Sequence, residues 1–234
     1  MKNNYIRWTI AYILIISVTI LATQLGSRAV SVISENLPVD RESCIIIDAG
    51  HGGEDGGATS CTGKLESAYN LEIAQRLNDF MMLLGYETTM IRTSDVSVYT
   101  QGTTIAQKKI SDLKERVHIV NSTPNGILVS IHQNFFPDQR YHGAQVFYNN
   151  VSGSDSLAKH LQDSLVVNLN PGSKRLSKRS DGIYLMDHID KTGVLIECGF
   201  LSNVEENAKL IDPSYQKKLI CVIGTSLSSY LSNT

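Results

Sequence analysis

The sequence has no excess of positive charge, no internal repeats and no low-complexity tract. Its 21 Lys and Arg residues are outnumbered by 23 Asp and Glu residues, which give a net charge of −2. Nucleic-acid-binding proteins generally carry a basic surface, so the sequence argues against such a partner. A hydrophobic content of 42% with 19% charged residues indicates a globular protein with a substantial core.

One hydrophobic run stands out, at the N-terminus. The uncharged stretch WTIAYILIISVTILATQLGS separates Arg7 from Arg28, and Lys2 and Arg7 precede it. Its length lies between the core of a signal peptide, about 7–15 residues, and a membrane-spanning helix of about 20 residues. The basic residues before it favour an N-terminus that stays in the cytoplasm. Residues 1–28 are therefore interpreted as a signal peptide or an uncleaved signal anchor.

The rest of the chain divides into a polar linker over residues 29–41 and one domain over residues 42–234. We expect this domain to work outside the cytoplasmic membrane and to meet the membrane only through the N-terminal segment. The settings of its cysteines argue against an obligatory disulfide. Cys44, Cys198 and Cys221 lie in or beside apolar runs, where a free thiol behaves as a small core residue.

Alternating strand and helix patterns predict an α/β fold. CIIIDAG and GILVSIH are each dominated by a run of apolar residues, as is typical of strands buried on both faces of a parallel sheet. Between and after them come helical stripes, the strands YETTMI, AQVFY and GVLIECGF, and a final amphipathic helix from Pro213 to Leu231. This order predicts an open, mainly parallel twisted sheet with helices on both faces. The basic stretch PGSKRLSKRSDG shows no apolar period and is expected to form a loop.

Three of the predicted strands end on unusual residues, which are His51, His132 and Glu197. Sites in open α/β sheets gather outside the carboxyl ends of the strands, and Glu66, at the start of the first long helix, is expected on the same rim. A carboxylate at the end of an apolar strand requires a compensating partner. Two imidazoles and a carboxylate with one open position make a common catalytic zinc site. A histidine at a strand end is more often structural, so spacing alone leaves both interpretations open.

The glycine-rich turn GHGGEDGG around His51 allows a sharp change of direction and room for a bulky substrate. A phosphate-binding loop is disfavoured, because the glycines do not fall as G-x-G-x-x-G and because Glu54 and Asp55 would repel a phosphate. Asp48, at the end of the first strand, could orient a ligating imidazole or cap the turn.

Four stretches resemble the signature blocks of a known family: IIIDAGHGGEDGGA, LESAYNLEIAQRL, LVSIHQNFF followed by GAQVFY, and VLIECGFLSNVEE. They are similar, in order and content, to the zinc-dependent N-acetylmuramoyl-L-alanine amidases of the Amidase_3 type, and they span Cys44 to Glu206. Family members often have proline in place of Ala49, and valine or threonine in place of Cys198. Neither difference falls on a candidate ligand.

The resemblance implies a peptidoglycan hydrolase that cleaves the amide bond between N-acetylmuramic acid and the L-alanine of the stem peptide. It implies that His51, Glu66 and His132 hold Zn²⁺ and that Glu197 is the catalytic acid/base. Glu197 would take a proton from the water that attacks the lactyl carbonyl and return it to the departing nitrogen, while zinc stabilises the oxyanion.

The compact arrangement and the stretch SIHQNFFPDQRYHGAQVFY resemble the sporulation and germination amidases of the CwlD type. That resemblance implies action on spore cortex, on the way to muramic-δ-lactam, in the space between the forespore and mother-cell membranes. A vegetative autolysin, a zinc peptidase and an inactive wall-binding scaffold remain alternatives.

Peptidoglycan glycan strands and an accessory activator protein are the expected partners. The basic residues 173–179 are a solvated loop, or they meet the carboxylates of stem peptides or a protein partner.

Overall fold

The computed structural model describes Trp8 and residues 12–21, 23–24 and 42–233. Contacts divide the chain into two compact units, Met1–Val39 and Asp40–Thr234. In the first unit, residues 12–21 are helical. Within the described ranges, no helix combines the length and the apolar character needed to cross a membrane. The signal predicted for residues 1–28 and the linker predicted after it lie largely outside those ranges and stay predictions.

The second unit is built on a six-stranded sheet. Its strands are β1 Cys44–Ala49, β2 Glu87–Met90, β3 Gly126–Asn134, β4 Gln145–Tyr148, β5 Lys178–Arg179 and β6 Gly193–Phe200. Their order across the sheet is β2-β1-β3-β6-β4-β5. All neighbouring pairs are parallel except β4 and β6, which are antiparallel. The predicted open, mainly parallel sheet is confirmed.

Helices cover both faces of this sheet. They are α1 Glu66–Leu83, α2 Ile105–Ser122, α3 Ser154–Leu169, α4 Tyr184–His188, α5 Val204–Ile211 and α6 Pro213–Leu231. Ile46 of β1 packs in one hydrophobic cluster with Val120 of α2 and Leu185 of α4. Its neighbours Ile45 and Ile47 are also fully buried and point to the opposite face, where α1 contacts β1. Apolar runs such as CIIIDA therefore form strands that are buried on both sides.

The structure differs from the sequence expectations at short elements and at one cysteine. β5 lies inside the basic stretch expected to be a loop, where it pairs with the half-buried end of β4. β5 consists of two exposed residues, which cannot show a hydrophobic period. Hydrophobic patterning in the sequence therefore does not predict this strand. The four cysteines are free thiols. Cys44 and Cys198 are buried as expected, whereas Cys221 is exposed on α6, so its expected place in the core was wrong.

Two buried arginines hold the backbone at the carboxyl end of β1. Arg116 of α2 donates to the carbonyl oxygens of Ala49 at 3.0 Å and His51 at 2.7 Å. Arg92, just after β2, donates to the carbonyl oxygens of Ala49 at 2.8 Å and Gly50 at 3.0 Å. The turn after β1 is therefore fixed by side chains from two other elements, and its buried carbonyl groups are satisfied.

The charge of Arg116 is balanced by Asp48 and Asp112. Arg116 pairs with Asp112 at 2.7 Å and with Asp48, which also accepts from the Ser130 hydroxyl at 2.6 Å. Burial acts to raise the pKa of Asp48, but the Arg116 guanidinium outweighs it and lowers that pKa. Of the roles open to Asp48, orienting an imidazole and capping the turn, the structure shows neither, because its hydrogen bonds go to Arg116 and Ser130.

Replacing Arg116 by methionine would leave Asp48 and Asp112 buried without a cation. Breaking a buried ion pair from one side costs about 3–5 kcal/mol, so we expect the free energy of unfolding to fall by about that amount. Chemical denaturation at neutral pH measures it. The matched control is Lys159→Met, which breaks an exposed pair with Asp163 at 2.5 Å and should cost less than about 1 kcal/mol. Equal losses in the two variants would contradict a stabilising role for the buried network.

Candidate metal centre and active site

His51, Glu66 and His132 come together at the carboxyl ends of β1 and β3. His51 follows β1, His132 lies in β3, and Glu66 is the first residue of α1. Nε2 of His51 lies 3.3 Å from Oε2 of Glu66, and Nδ1 of His132 lies 3.0 Å from Oε1 of Glu66. One ligand atom from each of the three residues can be chosen so that all lie within 4.8 Å of one another. The three side chains expected on one rim thus form a single cluster.

Backbone and side-chain donors fix the Glu66 carboxylate. Its Oε2 accepts from the Ala58 N–H at 3.0 Å, and its Oε1 accepts from the Gln133 N–H at 3.2 Å and the Asn70 amide at 3.2 Å. Asn70 also donates to the carbonyl oxygen of Gly50 at 3.1 Å, which ties α1 to the turn after β1. Glu66 is therefore held in place from three segments of the chain.

His51 sits on a strained backbone, and Asp55 orients its ring. Its φ of 60° lies in the left-handed region, which costs about 1–2 kcal/mol for residues other than glycine. Its Nδ1–H donates to Oδ2 of Asp55 at 3.0 Å, and Lys109 pairs with the same oxygen at 3.1 Å. A ligating histidine usually donates its second N–H to such an oxygen, which fixes the tautomer. The orienting role considered for Asp48 therefore belongs to Asp55.

Charges inside the cluster shift the pKa values of its members. Burial acts to raise the pKa of Glu66, but hydrogen bonds from His132 and His51 outweigh it, and the pKa falls well below its usual range. Burial acts to lower the pKa of His51, but Glu66 and Asp55 raise it. The ionised Glu66 carboxylate thus calls for positive charge beside it, which an imidazolium or a metal cation supplies.

Two glycines leave space for these side chains. A Cβ atom at Gly50 would overlap the ring of His132. At Gly57 it would lie 2.6 Å from Oε2 of Glu66 and 2.7 Å from Cδ2 of His51. From the sequence, the glycines of this turn are expected to allow a sharp change of direction and to leave room for a bulky substrate. At these two positions the structure shows a different need, which is room for the histidine rings and the carboxylate.

Glu197 lies beside the cluster on β6. Its register partner on β3 is His132, so the two side chains project from the same face of the sheet. Its Oε2 is buried and has no hydrogen-bond partner in the described part of the chain. Burial raises the pKa of Glu197 to about 7, Glu66 adds to the shift, and His132 and His51 oppose it. A carboxyl group with this pKa can both take up and release a proton near neutral pH.

The supporting roles of Asp55, Arg92 and Arg116 were not predicted from the sequence. The burial of Arg116 could have been predicted, because it lies beside the apolar helical positions Leu113 and Val117. A buried charge there needs partners. The other histidines do not join the cluster found among the described residues; they are His118, His142, His160 and His188.

Comparison with known proteins identifies the family. Residues 45–229 match the Amidase_3 family, described as N-acetylmuramoyl-L-alanine amidase. The chain is 40% identical over 191 residues to the germination-specific N-acetylmuramoyl-L-alanine amidase of Bacillus subtilis strain 168, a match that covers 80% of this chain and 79% of the relative. It is 28% identical over 189 residues to the amidase LytC of the same organism, which covers 80% of this chain and 35% of LytC.

Solved structures agree with this match. The CwlD amidase of Clostridioides difficile, solved in complex with the GerS lipoprotein, superposes with a TM-score of 0.78 at 37% identity, covering 82% of this chain and all of that one. An N-acetylmuramoyl-L-alanine amidase of Clostridium difficile 630 superposes with a TM-score of 0.70 at 29% identity, covering 82% of this chain and 98% of that one. The chain therefore belongs to the N-acetylmuramoyl-L-alanine amidase family and is a peptidoglycan amidase.

Proposed function

We propose that this amidase is zinc-dependent and removes stem peptides from spore-cortex peptidoglycan on the way to muramic-δ-lactam. His51, Glu66 and His132 are the proposed zinc ligands, and Glu197 is the proposed catalytic acid/base. The observation that carries the proposal is a buried carboxylate oxygen of Glu197, without a hydrogen-bond partner in the described structure, beside a cluster of three ligand residues. The 40% identity to a germination-specific amidase supports the role in spores.

The residues present fit zinc. Ligand atoms about 2.0–2.1 Å from a tetrahedral zinc ion lie about 3.3 Å apart. Nε2 of His51 lies 3.3 Å from Oε2 of Glu66, and Nδ1 of His132 lies 3.0 Å from Oε1. One ligand atom from each residue lies within 4.8 Å of the others, so small side-chain shifts would bring all three around one ion. Two imidazoles and one carboxylate also leave one position open, as catalytic zinc sites require. Zinc, when bound, supplies Lewis acidity, which acidifies a water molecule and polarises the amide carbonyl.

Glu197 carries the proton through the reaction. As a carboxylate it takes a proton from the attacking water, and the protonated acid then gives that proton to the departing L-alanine nitrogen. Both transfers need an oxygen that no other group occupies, and its buried Oε2 meets this requirement. The Glu66 carboxylate is unsuited to this work, because His51 and His132 hold it ionised.

Similarity to amidases such as the probable cell wall amidase LytH of Staphylococcus epidermidis supports an activity outside the cytoplasm. We infer that residues 1–28 export the chain as a signal peptide or membrane anchor, that residues 29–41 are a linker, and that residues 42–234 form the catalytic domain. The basic residues before a long uncharged run support this division. For a spore enzyme, the site of action is the space between the forespore and mother-cell membranes. The CwlD amidase solved with the GerS lipoprotein supports an accessory lipoprotein partner.

Digestion of purified peptidoglycan tests the reaction itself. We expect mass spectrometry to find whole stem peptides and peptide-free glycan, with the activity lost on chelation and restored by added zinc. Stem peptides that are shortened rather than released would identify a zinc peptidase. No product with zinc and a lipoprotein partner present would instead identify a wall-binding scaffold.

Replacing Glu197 by glutamine separates catalysis from metal binding. Glutamine keeps the size of the side chain but cannot accept and return a proton, so we expect kcat to fall by about 10²- to 10⁴-fold. Because Glu197 is not a proposed ligand, the zinc content measured by mass spectrometry should stay at the wild-type level. A variant with wild-type turnover would remove Glu197 from its assigned role.

Replacing His51 by alanine tests the ligand set. Removal of one of three protein ligands should abolish stoichiometric zinc binding, measured by metal analysis after dialysis. His118→Ala is the matched control, because His118 is exposed on α2 and lies outside the cluster. Full zinc occupancy in His51→Ala, equal to that of the control, would refute the assigned ligands.

A further inference from the structure

The row of side chains that contains the proposed acid/base continues across the sheet. Glu197 is the register partner of His132 on one side and of Gln145 on the other. Register partners project from the same face, with Cβ atoms about 4.5–5.5 Å apart. Gln145 therefore lies next to Glu197, on the side away from the histidines.

Arg175 extends this row beyond Gln145. It donates to Oε1 of Gln145 at 3.3 Å and, through Nε, to the carbonyl oxygen of His142 at 3.1 Å. Its guanidinium also lies 5.1 Å from the centroid of the Phe200 ring, at the end of β6. Its Nη2 forms no hydrogen bond within residues 42–233. The guanidinium is thus held close to the active site while it keeps donors for a ligand.

A cavity of about 440 Å³ opens at Arg175. Arg140, Lys174 and His142 also line it, and no acidic side chain does. Arg140 pairs with Asp138 at 2.6 Å, whereas Lys174 and Arg175 form no ion pair with a described acidic residue. We call this site the basic cavity. Two cations without counter-charges in one cavity make it suited to an anion.

The chemistry of the substrate indicates which anion reaches the basic cavity. The lactyl carboxyl of N-acetylmuramic acid is consumed in the scissile amide, so the free carboxylates of the substrate belong to the stem peptide. Glu197 delivers its proton to the amide nitrogen, so the peptide attached to that nitrogen leaves on the side of Glu197. Gln145 and Arg175 lie next along that side, and an extended peptide covers about 3.3–3.6 Å per residue.

We propose, resting on the amidase function above, that the basic cavity binds a carboxylate of the stem peptide. Arg175 is the main contact, because a guanidinium can bind a carboxylate through two parallel hydrogen bonds, and Lys174 adds charge. Binding there orients the amide against Glu197. The cavity therefore gives the enzyme a preference for stem peptides with free carboxylates.

The test compares two soluble muramyl peptides, one with free peptide carboxylates and one with the same groups amidated. For the wild-type zinc enzyme we expect kcat/KM to be about 10- to 100-fold higher for the free carboxylate, mostly through KM. Arg175→Gln should lose this preference, because its kcat/KM should fall for the free carboxylate substrate and stay unchanged for the amidated one. Arg175→Lys should restore part of it. Arg179→Gln, an exposed residue of the same segment, should match the wild type on both substrates.

Binding of the released stem peptide, measured by calorimetry, provides a second readout that needs no turnover. The wild type should bind the free peptide more tightly than its amidated form, and Arg175→Gln should bind both alike. Equal kcat/KM values for the two substrates in the wild type would overturn the inference and leave the amidase function standing. Equal losses on both substrates in Arg175→Gln would make Arg175 a structural residue, which also overturns it. Failure of the wild type to release peptide from either substrate would instead refute the amidase function.

Discussion

The carboxylate of Glu66 is the group on which the site depends. It accepts from the backbone of Ala58 and Gln133 and contacts the rings of His51 and His132. These partners come from the turn after β1 and from β3, whereas Glu66 itself begins α1, where the helix dipole also favours a negative charge. Burying a carboxylate is costly unless donors and cations surround it. One side chain therefore fixes three segments relative to one another, since each supplies part of its compensation.

The turn after β1 shows how the fold holds a strained residue in a useful position. The φ of 60° at His51 is unfavourable, and Arg116 holds the backbone there through the His51 carbonyl oxygen. Arg92 holds the preceding carbonyl oxygens, while Asp55 fixes the imidazole ring. Backbone and ring are thus restrained by separate groups. For His51 as a proposed zinc ligand, such restraint would hold the ring in place before a metal ion arrives and would lower the cost of binding it.

The sequence predicted the strands and the members of the site better than it predicted their supports. Apolar runs that end at His132 and Glu197 are visible because a buried strand has a simple pattern. Spacing alone left the metal site open, and the family resemblance was needed to join its members. The residues that support the site were not predicted, because their partners lie far away in the sequence. Arg116 and Asp48 are 68 residues apart, and no periodicity connects them. The two-residue strand β5 was not predicted, because two residues are too few to show a hydrophobic pattern.

Two carboxyl groups near the same pair of imidazoles have pKa values shifted in opposite directions, and the difference follows from their donors. Hydrogen bonds from the rings of His132 and His51 favour the ionised form of Glu66 and lower its pKa, and two backbone N–H groups also donate to its carboxylate. Glu197 has a buried oxygen without a donor among the described residues, and burial raises its pKa to about 7. If the two carboxyl groups exchanged surroundings, neither would suit its proposed role. In its proposed role as proton carrier, Glu197 saturated with donors would be too weak a base. In its proposed role as zinc ligand, Glu66 with a raised pKa would bind protons in competition with the metal.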